Sequence, residues 1–576
     1  MCSPPLRRAA MENLERRLLF AAYQFQTLAP LDVANAASPR AGLVLDSQGD
    51  LFGTLDVAGN TSTGEVFELP AGSDTVQTLG AFSSANSSDS EGLALDSAGD
   101  VFGTAPLGGP DLLGSVFEIP ASTTTHNVQT IADFISNSDP DDLVIDSHGN
   151  LFGTTEAGNG NGTVFEIPVG GDSINTVASF SPNSSGFSPN NLIDSHGNLY
   201  GTALGGVAND GEIFEIPSGS SGTIDKLFSS FGSAPSAYGI APQSLIRDSQ
   251  GDLFGTTSEG GANGDGTIFE YSSGVFSTLA QFASADGTGP FDLVRDALGD
   301  LFGVCQSGGA NGAGTVFELP AGGQLTPLFT FPSGQGQPTG LVIDGQGDLF
   351  GATAEGGENG DGSVFEMTPA PATQLVFATQ PTNLTAGNSL TTSIVVDADD
   401  QANQIAIGYN SNVTLGLKVE PTDETFTPIT VQAVDGIATF SDIPAFDLAG
   451  GYKLKATQSG LTPGKSDKFF VAPAAASQVG FVQQPTNKTS GNDQGPITVA
   501  VEDQFGNVIT DDDSTLITLD TKVAPAGVTF DPISMDDADG LATFTDISFA
   551  IAGGYKLKAT ATGLSPGKSA KFYILA

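Results

Sequence analysis

Along most of the chain, apolar positions come in short runs separated by clusters of Gly, Asp, Asn, Ser and Pro. No stretch keeps the three-and-four spacing of an amphipathic helix, so each run reads as a strand. Four runs recur in a fixed order, exemplified by "DLVID" (Asp142–Asp146), "LFGTT" (Leu151–Thr155), "TIFEY" (Thr267–Tyr271) and "VQTIADF" (Val128–Phe134). Between the first and second lies D-S-x-G-D/N. This is turn chemistry, with Asp bonding its own backbone and Gly supplying a positive φ.

The set occurs seven times, keyed by Asp46, Asp96, Asp146, Asp194, Asp248, Asp296 and Asp344, at spacings of 48 to 54 residues. Four short strands in about 50 residues is the signature of a β-propeller blade. An aromatic stands six residues after each key Asp (Phe52, Phe102, Phe152, Tyr200, Phe254, Phe302, Phe350). A second marks the third strand (Phe67, Phe117, Phe165, Phe214, Phe269, Phe317, Phe365). Blades pack on both faces, so these rings are expected between blades rather than against a ligand. The fourth strand follows copies one to six, but "VFEMTPAPATQ" after copy seven leads straight into a proline-rich linker. A matching segment, "YQFQTLAPL" (Tyr23–Leu31), precedes copy one and is expected to complete the last blade against Ser363–Met367, removing an exposed edge.

The motifs "LVxDxxGxLFGT" and "GGxxGxGTVFEL", with this period, resemble the GloVer-type tandem-repeat family of bacterial exported proteins over Ala41 to Met367. The resemblance implies a propeller-like extracellular protein and no established catalytic residues. Near the N-terminus, "LERRLLF" (Leu14–Phe20) resembles in part the LEPR-xLL segment of large exported bacterial proteins, with Arg16 where proline is usual. It lacks the longer apolar run of an ordinary secretory signal.

The C-terminal third holds two copies of another unit. "QLVFATQPTNLTAGN" (Gln374–Asn388) pairs with "QVGFVQQPTNKTSGN" (Gln478–Asn492), and "AGGYKLKATQSGLTPGKSDKFFV" (Ala449–Val471) with "AGGYKLKATATGLSPGKSAKFYI" (Ala552–Ile574). About 100 residues of alternating strands is the pattern of an immunoglobulin-like sandwich. Both copies resemble bacterial Ig-like domains of cell-surface proteins, which implies spacers. The fold class is therefore all-β: leader or disordered segment 1–22, seven-bladed propeller 23–368, linkers 369–373 and 473–477, and Ig-like modules 374–472 and 478–576.

Charge narrows the functions. With 19 basic and 66 acidic residues the formal charge is −47, which repels nucleic acid and anionic lipid. No run is long enough to insert in a membrane. Between Ala41 and Ala372 the basic residues are Lys226, Arg247 and Arg295, whereas the C-terminal third carries eleven lysines. The two cysteines, Cys2 and Cys305, give no disulfide framework, and Cys305 is expected to be a small buried thiol. His148 and His196 occupy turn positions, His126 a Thr-rich loop, and none has metal-ligand spacing.

Departures from the repeat supply the candidate sites. The residue before the key Asp is Leu or Ile in five blades but Arg247 and Arg295 in the fifth and sixth. If first strands line a channel, these guanidiniums would share a space and bind an anionic sugar or peptide terminus, the alternative being pairing with nearby carboxylates. Asp248, Asp252, Asp344 and Asp348 are candidate ligands for weakly bound Ca2+, with a plain hairpin turn as the competing reading; no other cofactor is expected. The recurring Glu after each third-strand Phe reads as a structural hydrogen-bonding group. The function expected is a secreted or cell-surface binding scaffold for an extracellular polymer, glycan or surface protein, through the strand 2–3 and 4–1 loops. The alternatives are an enzyme acting on a polysaccharide or other polymer at the channel mouth and a calcium-dependent adhesin.

Overall fold

The computed structural model describes residues 23–576 apart from 32–35, 41, 58–63, 83–90, 122–126, 137, 157–160, 182–187, 205–210, 221, 230, 232–237, 358–359, 402 and 423. The "LERRLLF" segment, His126 and much of the strand 2–3 and 4–1 loops lie outside the described residues. The chain forms two compact units, one made of the residues up to Pro371 with Ala402–Gly408 and one running Ala372–Gln401 and Tyr409–Ala576.

Among the described residues all regular structure is β, as the patterning predicts. The first unit contains seven sheets of four antiparallel strands, one with an additional short strand. Blade 5 is representative: Ile240–Arg247, Leu253–Glu259, Thr267–Ser272 and Val275–Gln281, paired in sequence order. Every third-strand Phe is at most 1 % exposed. Burying each is worth about 1.5–3 kcal/mol. The glycine of each F-G-T run exists for that ring, since a Cβ on Gly103 would come within 2.3 Å of Phe117 Cζ and one on Gly53 within 2.5 Å of Phe67 Cζ.

The cores form a closed cycle. Phe52 and Val66 of blade 1 pack with Leu93 and Phe117 of blade 2, and the pattern repeats onward until Ala352 and Val364 of blade 7 pack with Leu43 and Phe67 of blade 1. The expected closing strand is present: Tyr23–Pro30 pairs antiparallel with Ser363–Pro369, from Tyr23 opposite Pro369 to Pro30 opposite Ser363. Phe25 stacks on Phe329 at 3.9 Å and on Phe365 at 5.5 Å, adding aromatic contact to the backbone ladder.

Inner strands of successive blades are also cross-bonded. Leu192 N donates to Asp142 Oδ2 at 2.5 Å, Leu245 N to Asn191 Oδ1 at 2.7 Å and Leu341 N to Asp292 Oδ2 at 2.8 Å. Burial pushes the Asp292 carboxyl up to about 6 even though these N–H donors pull it down.

In the second unit each copy folds as a two-sheet sandwich. The first has sheets Gln374–Phe377, Ile394–Asp399, Ile437–Phe440 and Leu384–Thr385, Phe469–Ala472, Gly450–Thr457, Asn412–Val419, Ile429–Gln432, with Gly464–Lys465 alongside. The second copy repeats this order. Tyr452 and Tyr555 are fully buried, and their hydroxyls donate to Leu448 O at 2.7 Å and Ile551 O at 2.8 Å, so neither polar group is left unpaired. The "DQFGN" turn of the second sandwich latches onto the first. Ala449 N donates to Asn507 Oδ1 and Asn507 Nδ2 to Asp447 O, both at 2.7 Å. Phe505 lies so close to Gly387 that a Cβ there would come within 2.5 Å of the ring.

Candidate functional site: the inter-blade clefts

The D-S-x-G-D/N turn is built by its carboxylates. Asp46 Oδ1 accepts from Gln48 N at 2.9 Å and Asp50 N at 2.8 Å, and Gly49 sits at φ 90°. The residue closing the turn then ties it to the strand 3–4 turn of the same blade. Ala71 N donates to Asp50 Oδ1 at 2.7 Å, Ala121 N to Asp100 Oδ1 at 2.8 Å, Val169 N to Asn150 Oδ1 at 3.0 Å and Ala321 N to Asp300 Oδ1 at 2.7 Å. This recurring staple explains why the position is Asp or Asn.

Clefts open between adjacent blades beside these turns, and a regular set of positions lines each. The floor is the second-strand aromatic of the preceding blade. One wall holds its key Asp and the other the next blade's turn glycine, joined at the junctions of blades 1–2, 2–3, 4–5 and 5–6 by the residue before that blade's key Asp. Arg247 and Arg295 occupy this last position and fill their clefts. Arg247 lies over the Tyr200 ring, Cζ 5.2 Å from the centroid, and Nη1 donates to Ser195 Oγ at 2.7 Å. Arg295 lies over Phe254 at 4.9 Å and pairs with Asp248 Oδ2 at 3.1 Å. Each head group abuts its own blade's turn glycine, since a Cβ on Gly251 or Gly299 would come 2.8 Å from Arg247 Nη2 or 2.9 Å from Arg295 Nη2. The shared channel space expected for the two guanidiniums is therefore corrected: each occupies a separate cleft, because its long stem carries it sideways onto the preceding blade's ring.

Tyr23 of the closing strand fills the cleft between blades 6 and 7 in the same manner. Its ring meets Phe302 edge-on at 5.7 Å and its hydroxyl donates to Gly347 O, on the turn glycine of blade 7, at 3.2 Å. Burial, with Glu318, Asp296, Asp300 and Asp348 nearby, raises the Tyr23 phenol well above its ordinary range. Glu318 is 4 % exposed and its Oε2 has no hydrogen-bond partner. Burial first, then Asp300 and Asp296, pushes its carboxyl up to about 8.

Three neighbouring clefts are open. The one between blades 7 and 1 has a volume of about 750 Å3 and is lined by Phe350, Asp344, Asp348, Glu366 and Gly49. Between blades 1 and 2 a space of about 670 Å3 is lined by Phe52, Asp46, Asp50, Leu95 and Gly99. Between blades 2 and 3 about 360 Å3 is lined by Phe102, Asp96, Asp100, Ile145 and Gly149. Burial, then Asp344 and Glu366, raises Asp348 to about 6.

The remaining candidates are placed as follows. Asp248 Oδ1 accepts from Gln250 N and Asp252 N at 2.9 Å, and Asp344 Oδ1 from Gln346 N and Asp348 N at 2.8 Å. The four aspartates thus sit in two hairpin turns of different blades. Among the described residues no group of three or more His, Cys, Asp or Glu is arranged to hold a metal ion. The recurring Glu is not one uniform structural group. Glu215 accepts from Asn198 Nδ2 and Tyr200 Oη at 2.9 Å, Glu366 from Gln26, and Glu318 is left short of partners. Cys305 is fully buried, and burial drives its thiol up to about 12, which leaves it unreactive. His148 is an exposed turn residue.

The Gloeobacter/Verrucomicrobia repeat model matches residues 135–291 and 205–406. No curated protein sequence matches the chain. Among solved structures, a streptogramin B lyase is similar at 11 % identity and a TM-score of 0.44, over 61 % of this chain and 99 % of that one. A gluconolactonase of Xanthomonas campestris is similar at 13 % and 0.35, over 59 % and 100 %. The periplasmic gluconolactonase of Pseudomonas aeruginosa is similar at 14 % and 0.37, over 71 % and 99 %.

Proposed function

As a tandem Gloeobacter/Verrucomicrobia-repeat protein, the chain acts, we propose, as a secreted or cell-surface binding scaffold whose ligands enter the open inter-blade clefts. The observation that carries this reading is the run of three open clefts, about 750, 670 and 360 Å3, side by side along one arc of blades. Spaces of this size with an aromatic floor and a few polar groups suit small ligands or side chains of a larger one. The two sandwiches, latched through Asn507, serve as spacers. On this proposal binding is on the turn face, whereas the sequence points to the strand 2–3 and 4–1 loops.

The test is to plug the clefts as the molecule itself plugs two others. Leu45, Leu95 and Ile145 hold the position of Arg247, so the triple variant L45R/L95R/I145R fills all three. Wild-type protein is expected to retain ligands on glycan and peptide arrays that the plugged variant does not, and identical array profiles would refute the reading. An enzymatic reading rests on Asp348, whose raised carboxyl suits a general acid. Polysaccharide turnover abolished by Asp348→Asn would favour it.

A further inference from the structure

The occupants of the filled clefts indicate what the open ones accept. In two blade junctions the same positions hold a guanidinium: it lies over the second-strand ring, its Nη1 reaches the key Asp or the Ser beside it, and its Nη2 abuts the turn glycine. At the open junctions the ring (Phe52, Phe102, Phe350), the key Asp (Asp46, Asp96, Asp344) and the glycine (Gly99, Gly149, Gly49) are all retained. What differs is the side chain before the next key Asp, which is Leu95 or Ile145 in place of arginine.

We propose that the three open clefts each take the guanidinium of an arginine side chain presented by a basic partner segment, in the place that Arg247 and Arg295 fill from within. The assignment rests on the scaffold reading above and deepens it. Guanidinium is favoured over ammonium because the site offers an aromatic face beside a carboxylate, and a planar, weakly hydrated cation can stack on the ring while one of its N–H groups reaches the carboxylate. The surroundings agree, since the whole chain carries a formal charge of −47 and a basic segment is drawn toward it.

The experiment measures binding of the full chain to hexa-arginine, hexalysine and hexacitrulline peptides at physiological salt. Hexa-arginine is expected to bind about tenfold tighter than hexalysine, with hexacitrulline not binding. L45R/L95R/I145R is expected to lose about tenfold in affinity for hexa-arginine. A control adding the same charge on exposed outer strands, Q77R/Q129R/N175R, is expected to keep wild-type binding. Equal loss in both triples, or equal binding of hexa-arginine and hexalysine, overturns the proposal as general charge attraction. Should the plugged variant not fold, F52L/F102L/F350L decides: a narrowed arginine-to-lysine ratio supports the proposal and an unchanged one overturns it. If plugging removes an array ligand while hexa-arginine binding is absent or unaffected, the guanidinium assignment falls and the scaffold reading stands. If plugging changes neither, both fall.

Discussion

Glu318 offers a stringent test of the packing between blades 6 and 7. Its carboxyl is 4 % exposed, one oxygen has no partner, and burial with Asp300 and Asp296 raises it from 4.5 to about 8. At about 1.4 kcal/mol per tenfold, that rise corresponds to about 5 kcal/mol between protonated and ionised forms, an upper bound once relaxation and water entry are allowed for. The folded state keeps a proton that the unfolded chain has already released. Stability from this group is therefore full below pH about 4.5 and declines as pH rises through about 8. Glu318→Gln keeps the shape and removes the ionisation. Near pH 9 the variant should be more stable than wild type by about 2–4 kcal/mol, and below pH about 4.5 the two should coincide. Thermal and urea unfolding followed by near-UV circular dichroism across that range provides the assay. A stability difference independent of pH, or a variant weaker at pH 9, would refute the burial argument.

Other outcomes follow from the same geometry. Gly303→Ala should destabilise the propeller by at least about 2 kcal/mol, because its Cβ would come 2.3 Å from Asp292 O and 2.5 Å from Phe317 Cζ; an unchanged urea midpoint would contradict the glycine–phenylalanine contact. Removing residues through Pro30 should expose the edge of Ser363–Pro369 and cause self-association, measurable by light scattering and reversed by an added Tyr23–Pro30 peptide. A monomeric truncated protein with the wild-type melting temperature would disprove strand closure. Calcium chelation should leave the melting temperature unchanged, since the turn oxygens at Asp248 and Asp344 are engaged by backbone N–H groups. A drop of several degrees would favour the calcium-binding alternative.

The repeat made the blades legible because each signature residue has a local or same-blade role. The key Asp closes its own turn, and the F-G-T glycine makes room for a ring on the adjacent strand. The closing strand was legible as well, because a missing fourth strand at one end matched a surplus one at the other. The clefts were not. Whether Arg295 points into a channel or across a ring depends on how closely the preceding blade brings Phe254, a distance that the repeat pattern alone does not give. Tyr23 gave no signal of its role, since a closing strand requires only alternation and its first side chain is free to serve as a plug.

Gln26 and Glu366, 340 positions apart, face one another where the ring is sealed. A ribosome that releases the chain from its beginning must therefore deliver residues up to about Pro369 before the wall can be completed. Until then Tyr23–Pro30 has no partner strand, and the wall stays open at its seam.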